Sequence, residues 1–147
     1  MSEYGYGTSM TDDELEAFLY GRGTGVLSLS REGHSYGIPV SYGYDSDHSR
    51  FVLDLGFGPE SKKRSFLETT ERSCLTVYEW NAPTDWQSVV ATGELGELSD
   101  GIDRDLEELY YEYAKDVEIS VFDHPPEEIE LQWYMLEIEE LTGRSSR

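Results

Sequence analysis

Short runs in which apolar and polar residues alternate, separated by turn residues, are the feature that most limits the folds open to this chain. The runs lie at residues 25–30, 34–44, 51–55, 74–80, 87–98 and 130–141. Alternation with a period of two is typical of strands with one buried face, and short turns join neighbouring strands into hairpins. About six strands in mostly hairpin order predict a small antiparallel barrel.

Two positions within these runs depart from regular pairing. Pro39 cannot donate a ladder hydrogen bond, so we expect it at a sheet edge or a bulge. In the last run, the alternation of Leu131, Trp133 and Met135 continues on the other face with Leu136 and Ile138. This change of face predicts a β-bulge in the last strand.

Helices are predicted around the strands. Thr11 and Glu14 match a capping box, so a first helix begins there and ends by Gly23. A short second helix is predicted at 61–71, in the middle of the strand order. A third helix is predicted at about 102–115, because its apolar stripe has helical spacing and consists of Leu106, Leu109, Tyr110 and Tyr113.

Composition excludes several function classes. The chain has 147 residues, and we expect a single domain over residues 1–147, with residues 1–10 flexible. It carries 31 acidic and 11 basic residues, for a net charge of -20. This charge argues against nucleic-acid binding, which needs a basic face.

Acid over the whole chain, with lysine nearly absent, suggests a halophilic protein, because at 1 M salt the Debye length is about 3 Å and self-repulsion is screened.

The sequence also limits location and cysteine chemistry. No apolar run approaches the roughly 18 residues of a membrane span, and the first residues do not resemble a signal peptide. Cys74, the one cysteine, excludes an intrachain disulfide and a cysteine-based zinc site, and is best read as a buried small hydrophobe. We expect a cytoplasmic protein.

Three adjacent cations stand out in this acidic chain: Lys62, Lys63 and Arg64. They lie in the first turn of the predicted second helix, where cations oppose the helix dipole. A bound anion would reverse that sign, because the free backbone N–H groups of a helix N-terminus favour it. The leading hypothesis is that residues 61–64 bind a phosphate; the alternative is a solvated charge run balanced by neighbouring glutamates.

Three patches, in this order, carry a resemblance to a known family. The first is residues 25–28 with Gly33 and 37–42, the second is 51–53 followed by Ser61-Lys62-Lys63 and Leu67, and the third is Trp86-Gln87-Ser88 with 89–93. Together they resemble the FMN-binding split-barrel superfamily, the relatives of pyridoxamine 5′-phosphate oxidase. The similarity covers roughly residues 11–98, with a match for the closing strand at 130–144. It implies a mainly β (α+β) fold, a six-stranded antiparallel split β-barrel with short flanking helices.

The resemblance also implies a cofactor, a partner and a set of site residues. The cofactor is FMN, and the flavin lies at the interface of a homodimer. Ser61, Lys62 and Lys63 match the segment that grips the FMN phosphate. Backbone groups of the "Pro-Val" strand meet the edge of the flavin ring, here Ile38, Pro39, Val40 and Ser41. Gln87 or Ser88 contacts the ribityl chain or the ring, and Trp86 packs on the cofactor or on the partner subunit, or else covers the core.

Departures from the family pattern bear on the activity. Many relatives carry a His where Leu53 stands, and here residues 56–60 form a longer loop before the basic pair. The segment that holds the substrate phosphate in true pyridoxamine 5′-phosphate oxidases has no counterpart, so that activity is not assigned. His34, His48 and His124 are expected to be neither catalytic nor metal ligands, and the paired glutamates are read as solvated surface.

Three functions stay open from the sequence. The first is a flavin-dependent oxidoreductase that passes electrons between a reduced nicotinamide or deazaflavin and a small molecule. The second is a flavin-binding module without turnover, acting as a carrier, store or sensor. The third is a haem-handling or structural member of the same superfamily.

Overall fold

The computed structural model describes residues 7–58, 62–114 and 126–146. Its elements are, in chain order, β1 (Thr8–Ser9), α1 (Asp12–Arg22), β2 (Thr24–Arg31), β3 (His34–Asp45), β4 (Arg50–Phe57), α2 (Lys62–Leu67), β5 (Arg72–Ala82), β6 (Asp85–Glu97), α3 (Arg104–Tyr113) and β7 (Glu130–Ser145). Short 3-10 turns cover Ser46–His48 and Pro126–Glu128. The predicted helices and strands are thus present, with shifted ends.

The strands close into a barrel. In the sheet, β7, β4, β3, β2, β5 and β6 are successive neighbours, and β6 also pairs with β7, so the ring is complete. All these pairings are antiparallel. The predicted six-stranded antiparallel barrel is therefore confirmed, and the two-residue strand β1 adds a seventh member at the edge of β7.

The barrel is split along β3. Residues 34–41 of β3 pair with β2, whereas only Tyr42–Asp45 pair with β4. Beyond that point, Asp54–Phe57 of β4 pair with β7 alone. Pro39 lies in the part of β3 that has no β4 partner, so its missing N–H breaks no ladder bond there. The expectation of an edge position for this proline is confirmed.

The core fills the barrel interior and is sealed by helices. Fully buried side chains come from alternate positions of the strands, including Leu27, Val40, Tyr42, Leu53, Leu75, Val77 and Val89. Helix α1 adds Leu15 and Leu19 at one end. A smaller cluster joins Val52 on the outer face of β4 to Leu106 and Tyr110 of α3, which explains why β4 reads as a nearly continuous apolar run.

Local backbone chemistry matches the sequence signals at the ends of α1 and β2. Thr11 and Glu14 form the expected capping box, with both reciprocal hydrogen bonds present. Gly23 ends α1 in the left-handed conformation that glycine adopts without strain. The β2–β3 turn places Glu32 and Gly33 at positive φ, as a tight hairpin requires.

Two expectations need correction. Thr8 and Ser9 pair with Ser145 and Arg144, and Met10 is buried, so the flexibility expected for residues 1–10 does not hold for 7–10; residues 1–6 lie outside the described part. The helix predicted at 61–71 spans only Lys62–Leu67, because the chain turns there and Thr69 and Thr70 bond back to Phe66 O. In the described part of the chain, no helix is long and apolar enough to cross a membrane.

A bulge adjusts the long closing strand. The pairing of β6 with β7 shifts register between Thr92 and Gly93, which pair with Glu140 and Ile138 and leave Glu139 as the extra residue. A β-bulge was predicted in this strand and is confirmed. It lies a few residues after the position at which the apolar residues change face. At Gly93 the backbones approach so closely that a Cβ would overlap the Glu137 carbonyl. Only glycine therefore fits at this point of closure.

We predict that Gly93→Ala lowers the free energy of unfolding by at least about 2 kcal/mol, because the new methyl group must displace backbone rather than a flexible side chain. The matched control is Gly96→Ala in the same strand, where a Cβ would meet no heavy atom within 4 Å. That control should change stability by less than about 1 kcal/mol. Denaturant unfolding followed by circular dichroism measures both, and equal stabilities for the two variants would contradict the account of the closure.

Candidate functional site

One outer surface of the barrel carries no charge, and we call it the neutral face. It is formed by outward positions of β3, β2, β5 and β6 that lie opposite one another in the ladders, such as Pro39, Val26, Thr76 and Val90. Its residues are Val26, Ser28, Gly37, Pro39, Cys74, Thr76, Tyr78, Trp80, Trp86, Ser88, Val90 and Thr92. The alternate residues of these strands point into the core.

The neutral face is unusual in a chain with 31 acidic residues. It also exposes large apolar groups, including Trp80 at 60%, Tyr78 at 58% and, less fully, Val26 and Val90. A contiguous exposed apolar patch of this kind marks a binding surface more often than bare solvent-facing surface. The face is therefore the part of the described structure best suited to a ligand or a partner.

A cleft of about 410 Å³ lies at one end of the neutral face, and we call it the hydroxyl cleft. Most of its lining is small and polar: Ser28, Ser30, Ser35, Ser73, Cys74 and Thr92, with Tyr36 and Arg72 beside them. Arg72 also holds Glu139 through Nη1, at 2.7 and 2.8 Å. The hydrogen bond to Glu139 and the charge of that carboxylate raise the pKa of Arg72. The cleft thus combines hydroxyl donors with a permanent cation.

Lys62 stands beside the hydroxyl cleft. Its Nζ lies 4.9 Å from the ring centroid of Tyr36, which lines the cleft, and 5.8 Å from that of Phe66. The side chain is exposed, so its ammonium group is accessible to an anion. Because α2 has six residues, its dipole adds little, and the electrostatic argument rests on the side chain itself.

Lys63 has different neighbours from Lys62. It is only 7% exposed, its Nζ donates to Gly56 O at 2.9 Å, and it lies 5.9 Å from the Phe57 ring centroid. The ammonium group thereby ties α2 to the end of β4. Arg64 stacks on Phe57 at 4.5 Å and pairs with Glu130 at 3.3 Å. Phosphate binding by both lysines stays a prediction, and the structure shows that the two differ: Lys63 is buried against a backbone carbonyl, whereas Lys62 is exposed.

A larger cavity of about 590 Å³ lies at the opposite end of the neutral face, and we call it the end cavity. Its apolar wall includes Val26, Pro39 and Trp80, and its polar rim includes Arg22, Thr24, Glu79 and Asn81. Arg22 Nη1 donates to Glu79 Oε2 at 2.7 Å, and Asn81 Nδ2 donates to Glu79 Oε1 at 3.0 Å. Glu79 therefore fixes both neighbouring side chains.

The residues at the start of the third sequence patch, Trp86-Gln87-Ser88, lie along the same surface. Trp86 is half-buried and stacks on Trp80, with ring centroids 6.4 Å apart and an interplanar angle of 15°. Ser88 is opposite Tyr78 on the neutral face, whereas Gln87 is exposed on the other side of the strand. The structure thus brings Trp86 and Ser88 to the neutral face, and Gln87 only to its border.

The "Pro-Val" residues of β3 differ in their exposure. Pro39 is exposed in the wall of the end cavity, while Ile38, Val40 and Ser41 are buried. Any contact from those three would come through the backbone. Ser61 lies outside the described residues.

Several site residues were not predicted from the sequence. Arg22, Arg72, Tyr36, Tyr78 and Trp80 line the two cavities. The alternation of β5 puts Tyr78 and Trp80 on the same face of the strand. A pair of aromatic residues at these positions is the sequence signal that could have identified them as site residues. No sequence signal identifies Arg22, because it reaches the end cavity from the last turn of α1.

The histidines and acid clusters add no second site among the described residues. His34 and His48 are exposed, and His48 pairs with Asp45 at 2.9 Å; His124 lies outside the described part. In residues 7–58, 62–114 and 126–146, no group of His, Cys, Asp or Glu could hold a metal ion.

Comparisons with known proteins agree with this architecture. A family model described as pyridoxamine 5′-phosphate oxidase matches residues 11–145. A FAD-binding protein from Mesorhizobium loti superposes with a TM-score of 0.73 at 21% identity, over 97% of this chain and 100% of that chain. A search of curated proteins gave no match.

Two mycobacterial structures are also similar. The FAD-binding protein from Mycobacterium smegmatis has a TM-score of 0.63 at 13% identity, over 95% of this chain and 100% of that chain. The FAD- and haem-binding protein from the same organism has a TM-score of 0.65 at 15% identity, over 93% and 72%. At these identities the likeness shows a shared split-barrel fold.

We predict that Lys63→Met lowers the free energy of unfolding by about 1–3 kcal/mol, because it removes a charged hydrogen bond to Gly56 O at a buried position. Lys62→Met is the matched control, since the neighbouring lysine is exposed, and it should change stability by less than about 0.5 kcal/mol. Thermal and denaturant unfolding measure both variants. If the two substitutions cost the same, the structural role of Lys63 is wrong.

Proposed function

Because the chain belongs to the pyridoxamine 5′-phosphate oxidase family, we propose that it binds a flavin, FMN, along the neutral face and acts as a flavin-dependent oxidoreductase on a small molecule. The observation that carries this proposal is the face itself, an uncharged surface between two cavities in a chain of net charge -20. A phosphorylated cofactor needs such a surface, because it must avoid the surrounding carboxylates.

The hydroxyl cleft would hold the phosphate. Lys62 supplies a charge-assisted hydrogen bond, and the hydroxyls of Ser28, Ser30 and Ser35 supply neutral donors. Ser61, expected from the family pattern, would add another. In this proposal Lys63 does not touch the phosphate and instead holds α2 in place.

The end cavity would hold the flavin ring. Ser30 in the hydroxyl cleft and Val26 in the end cavity are four residues apart on β2, about 13 Å at the rise of a strand. This spacing suits a phosphate and a ring joined by a ribityl chain. Pro39 and Val26 offer an apolar wall, the backbone of Ile38–Ser41 offers hydrogen-bonding groups, and Ser88 and Trp86 lie along the other side.

A second copy of the chain would cover the face and the cofactor. Two chains of charge -20 repel each other, and approach costs least through surfaces that carry no acid. The exposed Trp80, Tyr78, Val26 and Val90 would be buried in that homodimer, which accounts for their presence on a strand face. Gln87, at the border of the face, would then contact the ring or the partner.

The redox chemistry would belong to the flavin, and the protein would supply binding, orientation and charge. A reduced nicotinamide or a deazaflavin is the proposed electron donor. Similar structures include FAD-binding and haem-binding proteins, so FAD and haem are the competing ligands. The neutral face has no His or Met, two of the usual axial ligands of haem iron, but it does carry Cys74 and Tyr78, so the titration below must separate FMN from haem.

Titration in high salt tests the proposal. FMN, FAD, riboflavin and haem are each added to the purified protein, followed by flavin fluorescence and by absorbance near the Soret band. Tight FMN binding supports the proposal, and subsequent consumption of NADH or NADPH supports an oxidoreductase. Flavin binding without turnover supports a carrier or sensor, and haem binding without flavin binding overturns it.

We predict that Lys62→Ala weakens FMN binding by about 10- to 100-fold, as expected for a charged hydrogen bond of about 1.5–3 kcal/mol. Arg64→Ala is the matched control, because Arg64 is occupied by Phe57 and Glu130. It should change FMN affinity by less than about threefold. If Lys62→Ala retains full FMN affinity, the phosphate is not bound at this lysine.

We predict that raising the salt from 0.1 to 2 M strengthens FMN binding relative to riboflavin binding. The phosphate of FMN is repelled by the whole acidic chain, and salt screens that long-range repulsion more than the close contact with Lys62. Riboflavin has no phosphate and serves as the control at each salt concentration. Dissociation constants are compared where circular dichroism shows the protein folded. A falling preference for FMN would mean that local attraction dominates.

A further inference from the structure

The end cavity contains a cation whose hydrogen-bonding capacity is incompletely used. Arg22 Nη1 is bonded to Glu79, and Nη2 is 3.5 Å from Tyr78 O, a long contact. Nε is buried and has no hydrogen-bond partner among the described residues. A buried donor left unpaired costs about 1–3 kcal/mol. Nε is enclosed, whereas the weakly bonded Nη2 leaves the guanidinium a donor for an acceptor in the cavity.

Arg22 is held in place from two directions. It ends α1, where Gly23 turns the chain into β2, and Glu79 of β5 clamps its guanidinium. Glu79 also accepts a hydrogen bond from Asn81 Nδ2, so the partly exposed ion pair belongs to a small network of three side chains. A cation held this way provides a preorganised charge at the rim of the cavity.

We propose that Arg22 sets the redox potential of the flavin by stabilising the reduced ring. This inference rests on the proposed function, which places the flavin ring in the end cavity. Reduction by two electrons and one proton leaves the flavin with one more negative charge, on its pyrimidine side. Of the described residues lining this cavity, Arg22 is the one cation, and it offers donors to the carbonyl oxygens on that side.

The net charge of the chain increases the effect that a cation beside the flavin would have on its potential. A chain of net charge -20 disfavours any added negative charge, so without a nearby cation it would lower the potential of a bound flavin. Arg22 opposes that effect at short range, and the carboxylate of Glu79 moderates it. Arg22 therefore raises the midpoint potential of the flavin, and Glu79 lowers it.

The test compares affinities for oxidised and reduced FMN in Arg22→Gln, with dithionite as the reductant and a dye of known potential as the reference. We expect the ratio of affinities, reduced over oxidised, to fall about tenfold, which lowers the midpoint potential of a two-electron couple by about 30 mV. Arg22→Lys keeps the positive charge, so its midpoint potential should stay close to that of the unaltered protein. Arg64→Gln, outside the cavity, is the control and should leave it unchanged.

A second variant should shift the midpoint potential in the opposite direction. Glu79→Gln removes the negative charge while keeping a hydrogen-bond acceptor for Arg22, so the midpoint potential should rise. An unchanged ratio of affinities in Arg22→Gln overturns the inference. If both affinities fall equally, Arg22 only holds the ring, and if neither falls, Arg22 does not contact the ring. If the unaltered protein binds neither FMN nor FAD, the proposed function fails first and this inference with it.

Discussion

Closure of the barrel by β7 is the constraint on which the rest of the structure depends. This one strand pairs with β4 through its first half and with β6 through most of its length, and the bulge at Glu139 lets it serve both. Gly93 allows the backbones to meet at that point. Because the ring is closed there, the part of β3 that precedes Tyr42 can separate from β4 without opening the core, and this split exposes Pro39.

The sheet also sorts charge. Each strand of β2, β5 and β6 sends one set of side chains into the core and the other outward, and the outward set is neutral over a surface that joins two cavities. Carboxylates lie outside this surface, and Glu79 stands at the rim of the end cavity. The location of the proposed flavin site follows from this sorting: the barrel provides a rigid, uncharged platform, and Lys62, Arg72 and Arg22 provide cations at its two ends.

Sequence reasoning predicted most of the fold, because alternation, the capping box at Thr11 and the turn at Glu32-Gly33 are local signals. It predicted part of the site through the same strands. It did not distinguish Lys63 from Lys62, because two adjacent lysines look equivalent in a sequence and only their burial separates them. It missed Arg22 and Arg72, because their positions in the cavities depend on strand pairing and helix packing between residues distant in the chain.

Charge acts on this proposed site at two ranges. Over distances beyond about 10 Å, the carboxylates oppose both the arrival of a phosphate and the reduction of the ring, and salt weakens that opposition. Within a few ångströms, Lys62 and Arg22 favour the same two events, and salt affects such close contacts less. A strongly acidic chain can therefore hold an anionic cofactor when its few cations are kept at fixed positions beside it. In the proposed site, the ion pair of Glu79 with Arg22 and the aromatic rings beside Lys62 would hold these cations in place, and few cations would then be needed.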